Sequence, residues 1–318
     1  MTGVADRLAV SVVVATCDRP DRLPRALRAL EAQTFSGEWE IVIVDDGSGP
    51  ATAELLSEWS AAVGRSARTV LRTPARSGPG GARNVGWRAA SGGLIAFTDD
   101  DCEPEPPWLE ALMAASARAP VVLQGATAPN SDETARTSPF SRTLDVRSLG
   151  PWFPACNVAY PRDLLEALDG FDERFLRGED TDLAWRAREA GAEFIWVPEA
   201  RVRHAVMELG PIGKLRLALA WAPAFALYAR HPELRQALHL GLFWKPSHLT
   251  LLLAFAGALA ARRFPAAPVL ALPYAYALRV RMAAEGGSLR HAPWYALHDA
   301  LEIVSALRGS LRSGTVVL

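Results

Sequence analysis

Residues 8–48, LAVSVVVATCDRPDRLPRALRALEAQTFSGEWEIVIVDDGS, decide how this chain folds. LAVSVVVA (8–15) is a continuous apolar run, as expected of a strand buried on both faces. DRLPRALRALEAQ (21–33) sets Leu23, Leu27 and Leu30 on one helical face and arginines on the other. WEIVIVDDGS (39–48) is a second strand, ending in carboxylates. Strand, helix and strand in that order form a βαβ unit and call for a parallel sheet.

The alternation continues outward. A helix at 51–63 leads to a strand at 67–73, and the glycine-opened helix GGARNVGWRAAS (80–91) leads to GLIAFTDDD (93–101), a strand that also ends in carboxylates. A helix at 105–118 and a fifth strand at 120–128 follow. Residues 129–150 are polar and irregular and are expected to form a loop over a site. WFPACNVAYP (152–161) is strand-like, EDTDLAWRAREAG (179–191) is a helix stopped at Gly191, and AEFIWVPEARVRH (192–204) supplies one or two short strands. Beyond about 210 the pattern is almost wholly helical and rich in Leu, Ala and Trp. The expected organisation is an α/β domain over 1–208 and an apolar, basic helical region over 209–318.

Of the 318 residues, 50% are hydrophobic and 22% charged, which excludes a disordered chain. The formal net charge of -1 hides a split: residues 1–200 carry a net -10 and residues 201–318 a net +9. Such a basic, apolar rear points to an anionic surface, either a membrane or a nucleic acid. Cys17, Cys102 and Cys156 form no CxxC pair or Cys/His cluster, which argues against a zinc site of that kind and suits a reducing compartment. The N-terminus has no cationic segment ahead of its short apolar run and reads as a strand, not a signal peptide.

Chemistry in an open α/β sheet gathers at the carboxyl ends of its strands. ATCDRP, DDGS, GPGGARN and TDDDC all fall there. Carboxylates offer hard oxygen ligands to Mg2+ or Mn2+, and helix N-terminal amides with Arg83 can take an anion. Each motif also has a plainer reading. Asp45 and Asp46 suit a turn, Asp99, Asp100 and Asp101 suit a solvated acidic loop, and Glu179, Asp180 and Asp182 suit the positive end of a helix dipole. GPGGARN is neither a dinucleotide fingerprint, since Arg83 stands where GxGxxG needs glycine, nor a Walker A loop.

Taken together, VSVVVATCDRP, EIVIVDDGS, GPGGARNVG, IAFTDDDCEP, FPACNVAYPRDLLEALDGFDERFLRGEDTDLAWRAREAG and WVPEARVRH resemble the family-2 glycosyltransferases of the GT-A fold, over residues 8–204. The resemblance implies a Rossmann-like, mainly parallel sheet with helices on both faces, followed here by the helical region. It implies an inverting transfer of a sugar from a UDP-, GDP- or dTDP-sugar to an acceptor hydroxyl, in envelope glycan, glycolipid or glycosylated metabolite synthesis. Asp45 would pair with the nucleotide base, with Asp46, Thr16 and Arg19 beside it, and Arg83 would approach the diphosphate. Asp101 would hold Mg2+ or Mn2+, with Asp99 and Asp100 near the ribose or the metal's waters. Asp180 would be the general base and Glu179 would position the acceptor. His204, 24 residues past Asp180, matches a metal-binding histidine of some relatives, and Asn157 matches a position near the donor sugar. The processive-synthase signature QxxRW is absent, which favours addition of one or a few sugars. A nucleotidyltransferase of similar topology would need a glycine- and lysine-containing loop that ATCDRP lacks, and a non-catalytic sugar-nucleotide-binding scaffold is the reading from another class.

In the rear, LTLLLAFAGALAA (249–261) and FPAAPVLALPYAYAL (264–278) are uncharged stretches of 13 and 15 residues closed by arginines. As helices they would reach about 20–23 Å, short of the ~30 Å hydrocarbon core. A monotopic or re-entrant pair on the cytoplasmic side of a membrane is the leading expectation; a soluble bundle, or packing on a second protomer as a homo-oligomer, and a short spanning hairpin are the others. With only two lysines in the whole chain and no cationic stripe, nucleic acid is not an expected partner.

Overall fold

The computed structural model describes residues 9–117 and 121–318. The readings that rest on the N-terminal eight residues, and the expected element ends at Arg118 and Pro120, lie outside the described residues. The described residues form two compact units, 9–117 and 121–131 with 144–205, and 132–143 with 206–318.

The first unit is built on an eight-stranded sheet. Its first four strands are β1 (Val10–Thr16), β2 (Trp39–Asp45), β3 (Ala67–Arg72) and β4 (Leu94–Asp99). The short β5 (Cys102–Pro104) and then β6 (Val122–Pro129) follow. The helices between them are α1 (Leu23–Glu31), α2 (Pro50–Ala61), α3 (Gly78–Ala89) and α4 (Trp108–Ser116). The chain then passes through β7 (Ser141–Arg142), which belongs to the second unit, and returns as β8 (Asn157–Pro161), α5 (Arg162–Ala167), α6 (Glu179–Glu189) and β9 (Phe194–His204). The strand order is β3-β2-β1-β4-β8-β6-β9-β5.

β1 pairs in parallel with β2 and β4, and β2 with β3, as the βαβ reading requires. The sheet departs from all-parallel at β8, antiparallel to both β4 and β6, and at β5, antiparallel to β9. No helical crossover leads into β8, so nothing obliges it to run parallel. Period-2 alternation explains the two layers. Val10, Val12 and Val14 face α1 and α4 through Leu23, Leu27, Leu30 and Trp108, while Val13 joins Val42, Val44, Trp87 and Leu183 on the other face. Each such buried side chain contributes roughly 1.5–3 kcal/mol. α3 lies close on the second layer because Gly86 has no side chain: a Cβ there would come within 2.5 Å of Val13 Cγ1.

β9 is a single strand with a break. Between Gly125 and Ala126 of β6 its register jumps from Val197 to Arg201. The orphaned carbonyls of Ala126 and Ala200 both accept from Asn157 Nδ2, each at 2.8 Å, and Asn157 Oδ1 accepts from Trp108 Nε1. Fully buried, Asn157 patches the ladder where it breaks.

The second unit holds β7 paired with β10 (Met207–Glu208) and the helices α7 (Gly210–Leu219), α8 (Leu227–Arg230), α9 (Pro246–Ala260), α10 (Leu272–Ala284) and α11 (Ala292–Ser313). The stretch 129–150 is more ordered than its composition suggests, since Ser131–Arg136 forms a 3-10 turn ahead of β7. Pro265, Pro268 and Pro273 hold the second apolar stretch to a 3-10 turn at Ala267–Ala271 before α10. Among the described residues no helix is long and apolar enough to cross a membrane. α9, α10 and the segment between them nevertheless leave Phe255, Leu259, Phe264, Leu272 and Tyr276 well exposed.

Candidate active site

The parallel register brings three motifs level. Thr16 ends β1 opposite Asp45 of β2, Ala15 pairs with Asp99 of β4, and Asp45 pairs with Arg72 of β3. The Thr16 hydroxyl donates to Asp100 Oδ2 at 2.7 Å and Arg19 Nη1 donates to Asp101 Oδ2 at 3.2 Å. Burial, with the repulsion of Asp101, pushes the Asp100 carboxyl up to about 7, against the pull of Arg19 and Thr16. The three aspartates are therefore crowded and largely enclosed, not a solvated turn.

Asp45 and Asp46 part company. Asp45 is buried, its Oδ1 accepting from the Ser48 amide at 2.9 Å and its Oδ2 from Arg72 Nη1 at 2.6 Å. Asp46 turns toward the start of α3, where Thr73 Oγ1, the Ser77 amide and hydroxyl, and the Gly78 amide all donate to it. Burial opposes its ionisation, but those bonds win and its pKa falls below the ordinary carboxylate value. Asp46 ties the β2 and β3 ends to α3. Asp18, Arg72, Thr73 and Ser77 complete this corner; Asp18, held at a positive φ of 52°, accepts from the Gly49 amide and pairs with Arg76. Sequence reading missed all four, and nothing local in the sequence signals them beyond their place after β1 and β3.

Arg83 is the hub. Only 6% exposed, it donates from Nη1 to Glu179 Oε1 and from Nη2 to Asp99 Oδ1, each at 2.8 Å. Residues 96 positions apart are thus joined through one guanidinium. The glycines of GPGGARN make the approach possible: a Cβ on Gly80 would meet Glu179 Cγ at 3.2 Å, and one on Gly81 would meet Ser77 Cβ at 2.7 Å. Asn84 secures the same junction, donating to Phe171 O and Glu173 Oε1 and accepting from the Phe171 amide and Trp87 Nε1.

At the start of α6 the three acidic residues have separate environments. Glu179 faces Arg83. Asp182 is fully buried and bonded to Arg186 Nε at 2.7 Å, which in turn donates to the Leu168 and Gly170 carbonyls. Asp180 keeps part of its surface open. It accepts from the Thr181 amide at 2.7 Å and the Ala155 amide at 3.2 Å. Desolvation first, then the Glu179 charge, push its carboxyl up to about 7, with Arg83 opposing. A carboxylate poised near neutrality is suited to accepting a proton.

His204 reaches the site through pairing. Cys102 of β5 stands opposite His204 of β9, and the Ala205 amide donates to Asp101 O. His204 Nε2 lies 3.7 Å from Asp101 Oδ1, while its Nδ1 is 2.8 Å from the Ala205 carbonyl. A carbonyl can only accept, so Nδ1 carries a hydrogen, and Nε2 is the ring nitrogen placed to serve as a ligand. One ligand atom each from Asp101, Cys102 and His204 lies within 4.8 Å of the others. Burial and contact with Cys156 hold the Cys102 thiol well above its ordinary pKa, leaving carboxylate and imidazole as the donors. That donor set fits Mg2+ or Mn2+. The Asn157 amide is spent on the sheet break, between Ala126, Ala200 and Trp108. Trp152 is exposed and its carbonyl accepts from Thr181.

The sequence profile of glycosyl transferase family 2 matches residues 11–170. Glycosyltransferase AglE of Haloferax volcanii is 27% identical over 213 residues, covering 64% of this chain and 69% of that protein. Pre-mycofactocin glycosyltransferase of Mycobacterium tuberculosis is 28% identical over 238 residues, covering 70% of this chain, which spans only 48% of the mycobacterial protein. Among solved structures, the mannosyltransferase PcManGT of Pyrobaculum calidifontis, in complex with GDP-Man and Mn2+, superposes with a TM-score of 0.62 at 21% identity, over 96% of this chain and 88% of that one. S. aureus TarS 1-349 with UDP follows at a TM-score of 0.53 and 18% identity, over 97% and 92% of the two chains. With the family profile matched across half of the sequence, from β1 to the turn after α5, the chain belongs to glycosyl transferase family 2 and carries the GT-A fold.

Proposed function

We propose that the first unit transfers a sugar, with inversion, from a nucleotide-diphosphate donor to an acceptor hydroxyl. The observation that carries this reading is the Arg83 bridge, which joins the DDD cluster to the acidic start of α6. Asp180 takes the acceptor's proton on a carboxylate oxygen. The acceptor oxygen bonds to the anomeric carbon, and the bond from that carbon to the diphosphate breaks with its electron pair leaving on the diphosphate. Glu179, fixed by Arg83, positions the acceptor, while Asp45 with Thr16 and Arg19 receives the nucleoside. Arg83 contributes fixed positive charge beside the departing diphosphate. Asp101 and His204 are the residues to hold Mg2+ or Mn2+, with Asp99 and Asp100 on its waters. A divalent cation there supplies countercharge to the leaving group.

GDP-Man with Mn2+ in PcManGT and UDP in TarS support a nucleotide-sugar donor of this kind. The exposed apolar residues of α9 and α10, flanked by Arg262, Arg263 and Arg279, support contact of the second unit with a membrane surface. That contact would suit a lipid-linked acceptor.

The test is a thermal-shift titration with Mn2+ and a panel of UDP-, GDP- and dTDP-sugars, followed by a transfer assay. A cation at a hundred times its Kd stabilises by about 2.7 kcal/mol. Asp101→Ala and His204→Ala should each abolish the Mn2+ shift and the donor shift that depends on it. Full Mn2+ and donor shifts in both variants would refute the metal assignment, and no donor shift or transfer by the native chain would refute the function.

A further inference from the structure

Ahead of β8 the chain runs Pro151-Trp152-Phe153-Pro154-Ala155, a stretch to which the transfer chemistry assigns no task. Its two prolines have fixed φ. Three hydrogen bonds clamp it to α6. The Pro151 carbonyl accepts from Trp185 Nε1 at 2.9 Å, the Trp152 carbonyl accepts from Thr181 Oγ1 at 2.6 Å, and the Ala155 amide donates to Asp180 Oδ2 at 3.2 Å. Trp152 is thus tied to Asp180 twice, through the next residue of α6 and through Asp180 itself.

Between those bonds Phe153 takes a positive φ of 44°, a conformation that bulky side chains rarely adopt. Burial holds it there: Phe153 is 4% exposed, with its ring 4.5 Å from that of Phe194 and 5.9 Å from the Arg188 guanidinium. The turn puts Phe153 inside and leaves Trp152 outside, 39% exposed and in neither apolar layer of the unit. Tryptophan has a large apolar surface to gain from burial. An indole kept in water by a strained, clamped turn beside a candidate base points to a ligand, where a single exposed leucine would not.

The neighbour decides which ligand. The nucleoside end of the donor belongs to Asp45, Thr16 and Arg19 on β1 and β2, whereas Asp180 meets the acceptor hydroxyl. An acceptor phosphate is already ionised, needs no base, and would bring negative charge to Glu179 and Asp180. A neutral sugar hydroxyl needs the base and adds no charge. A pyranose also offers what an indole takes: the C–H hydrogens of one ring face are slightly positive, and the indole face is negative.

We propose that Trp152 is the platform on which the acceptor stacks, and that the acceptor is a neutral pyranoside. The inference rests on Asp180 being the base of a sugar transfer.

The test uses the full chain with Mg2+ and the nucleoside diphosphate of whichever donor gives the largest thermal shift. Saturation-transfer NMR is run with the methyl β-D-pyranosides of glucose, galactose and mannose, and with sorbitol, which has the hydroxyls but no ring face. At least one pyranoside should bind, with the hydrogens of one face saturating more strongly than those of the other, and sorbitol should not. Trp152→Ala should weaken that binding about tenfold, the size of one aromatic contact, and Trp152→Tyr should keep most of it. In the transfer assay the loss should fall on KM for the pyranoside and not on kcat. Circular dichroism and a retained donor shift show that the variant is folded. The proposal is overturned if no pyranoside binds to a chain that shows the donor shift, if Trp152→Ala leaves the binding unchanged, or if that variant, though folded, loses the donor shift, which would place the ring on the donor. A native chain with no donor shift refutes the transferase reading itself, and this inference falls with it.

Discussion

Replacing Asp180 with asparagine should inactivate the chain and stabilise it in the same stroke. The Asp180 carboxyl stands at about 7 against an ordinary 3.8, because desolvation and the Glu179 charge disfavour its ionised form. That displacement sets a ceiling of about 4 kcal/mol on what ionising it costs the fold. Water reaches the partly open side chain and screens some of that cost. Asparagine also keeps one acceptor where the carboxylate has two, facing the Thr181 and Ala155 amides. A net gain of about 1–2 kcal/mol at pH 8 remains, or roughly 2–8 °C in Tm for a unit of this size. The sign follows from linkage: a carboxyl whose folded pKa is raised adds stability below its unfolded value, near 4, and loses that stability as pH rises through about 7. The gap in Tm between Asp180→Asn and the native chain should therefore be largest at pH 8 and close or reverse by pH 5. In the transfer assay, loss of a general base should cost about 10²–10⁴ in kcat, and native kcat/KM should rise with pH through about 7. Scanning calorimetry at the two pH values decides the first point. An inactive variant with no pH-dependent gain would refute the electrostatic account, and a variant that keeps native turnover would refute the base assignment.

Arg83→Ala should destabilise the first unit by about 3 kcal/mol, because it strands the buried Glu179 carboxylate and frees the half-open Asp99; an unchanged urea midpoint at pH 8 would count against the bridge. In the second unit, burial opposes ionisation of Glu302, but His248, Lys245 and His298 hold its pKa down to about 2. A depressed carboxylate adds stability above its unfolded value of 4.5 and loses it as pH falls toward about 2, so Glu302→Gln should cost about 2 kcal/mol at pH 7 and little at pH 2.5. Hydrogen exchange of α9 and α11 at both pH values reads this, and equal losses at the two would refute it.

The strands and their carboxyl-end motifs were legible because both are local signals. A run such as VSVVVAT declares a buried strand from its own residues, and a carboxylate following it must lie at the sheet's edge. The direction of β8 was not legible, since no pattern within Asn157–Pro161 states which neighbours it meets. The contacts of Asn157 were not legible for the same reason: its partners, Trp108, Ala126 and Ala200, are brought to it by three separate elements. Asp46 was placed with the donor because it adjoins Asp45, although successive residues past a strand end need not face the same way. His204 is expected from its distance in sequence from Asp180, but what seats it beside Asp101 is the pairing of β9 with β5, a three-residue strand that lies outside every element read from the sequence.

The charges of the site bear on the order of binding. Asp99, Asp100, Asp101, Glu179 and Asp180 gather at one place, with Arg83 on Asp99 and Glu179 and Arg19 on Asp101. Fully ionised, that group is strongly negative, and burial with mutual repulsion pushes the Asp100 and Asp180 carboxyls up to about 7. A nucleotide diphosphate brings further negative charge to the same strand ends. Arg83 cannot absorb it alone, because Asp99 and Glu179 already occupy its guanidinium. The divalent cation proposed at Asp101 would supply that countercharge, and its arrival should expel protons from Asp100. This crowding is the charge-based support for the metal proposed above. It also fixes the outcome of the Mn2+ titration: run in two buffers of different ionisation enthalpy, the binding heats should differ, showing proton release. Equal heats in both buffers would mean that Asp100 is already ionised in the free protein and that the crowding argument is wrong.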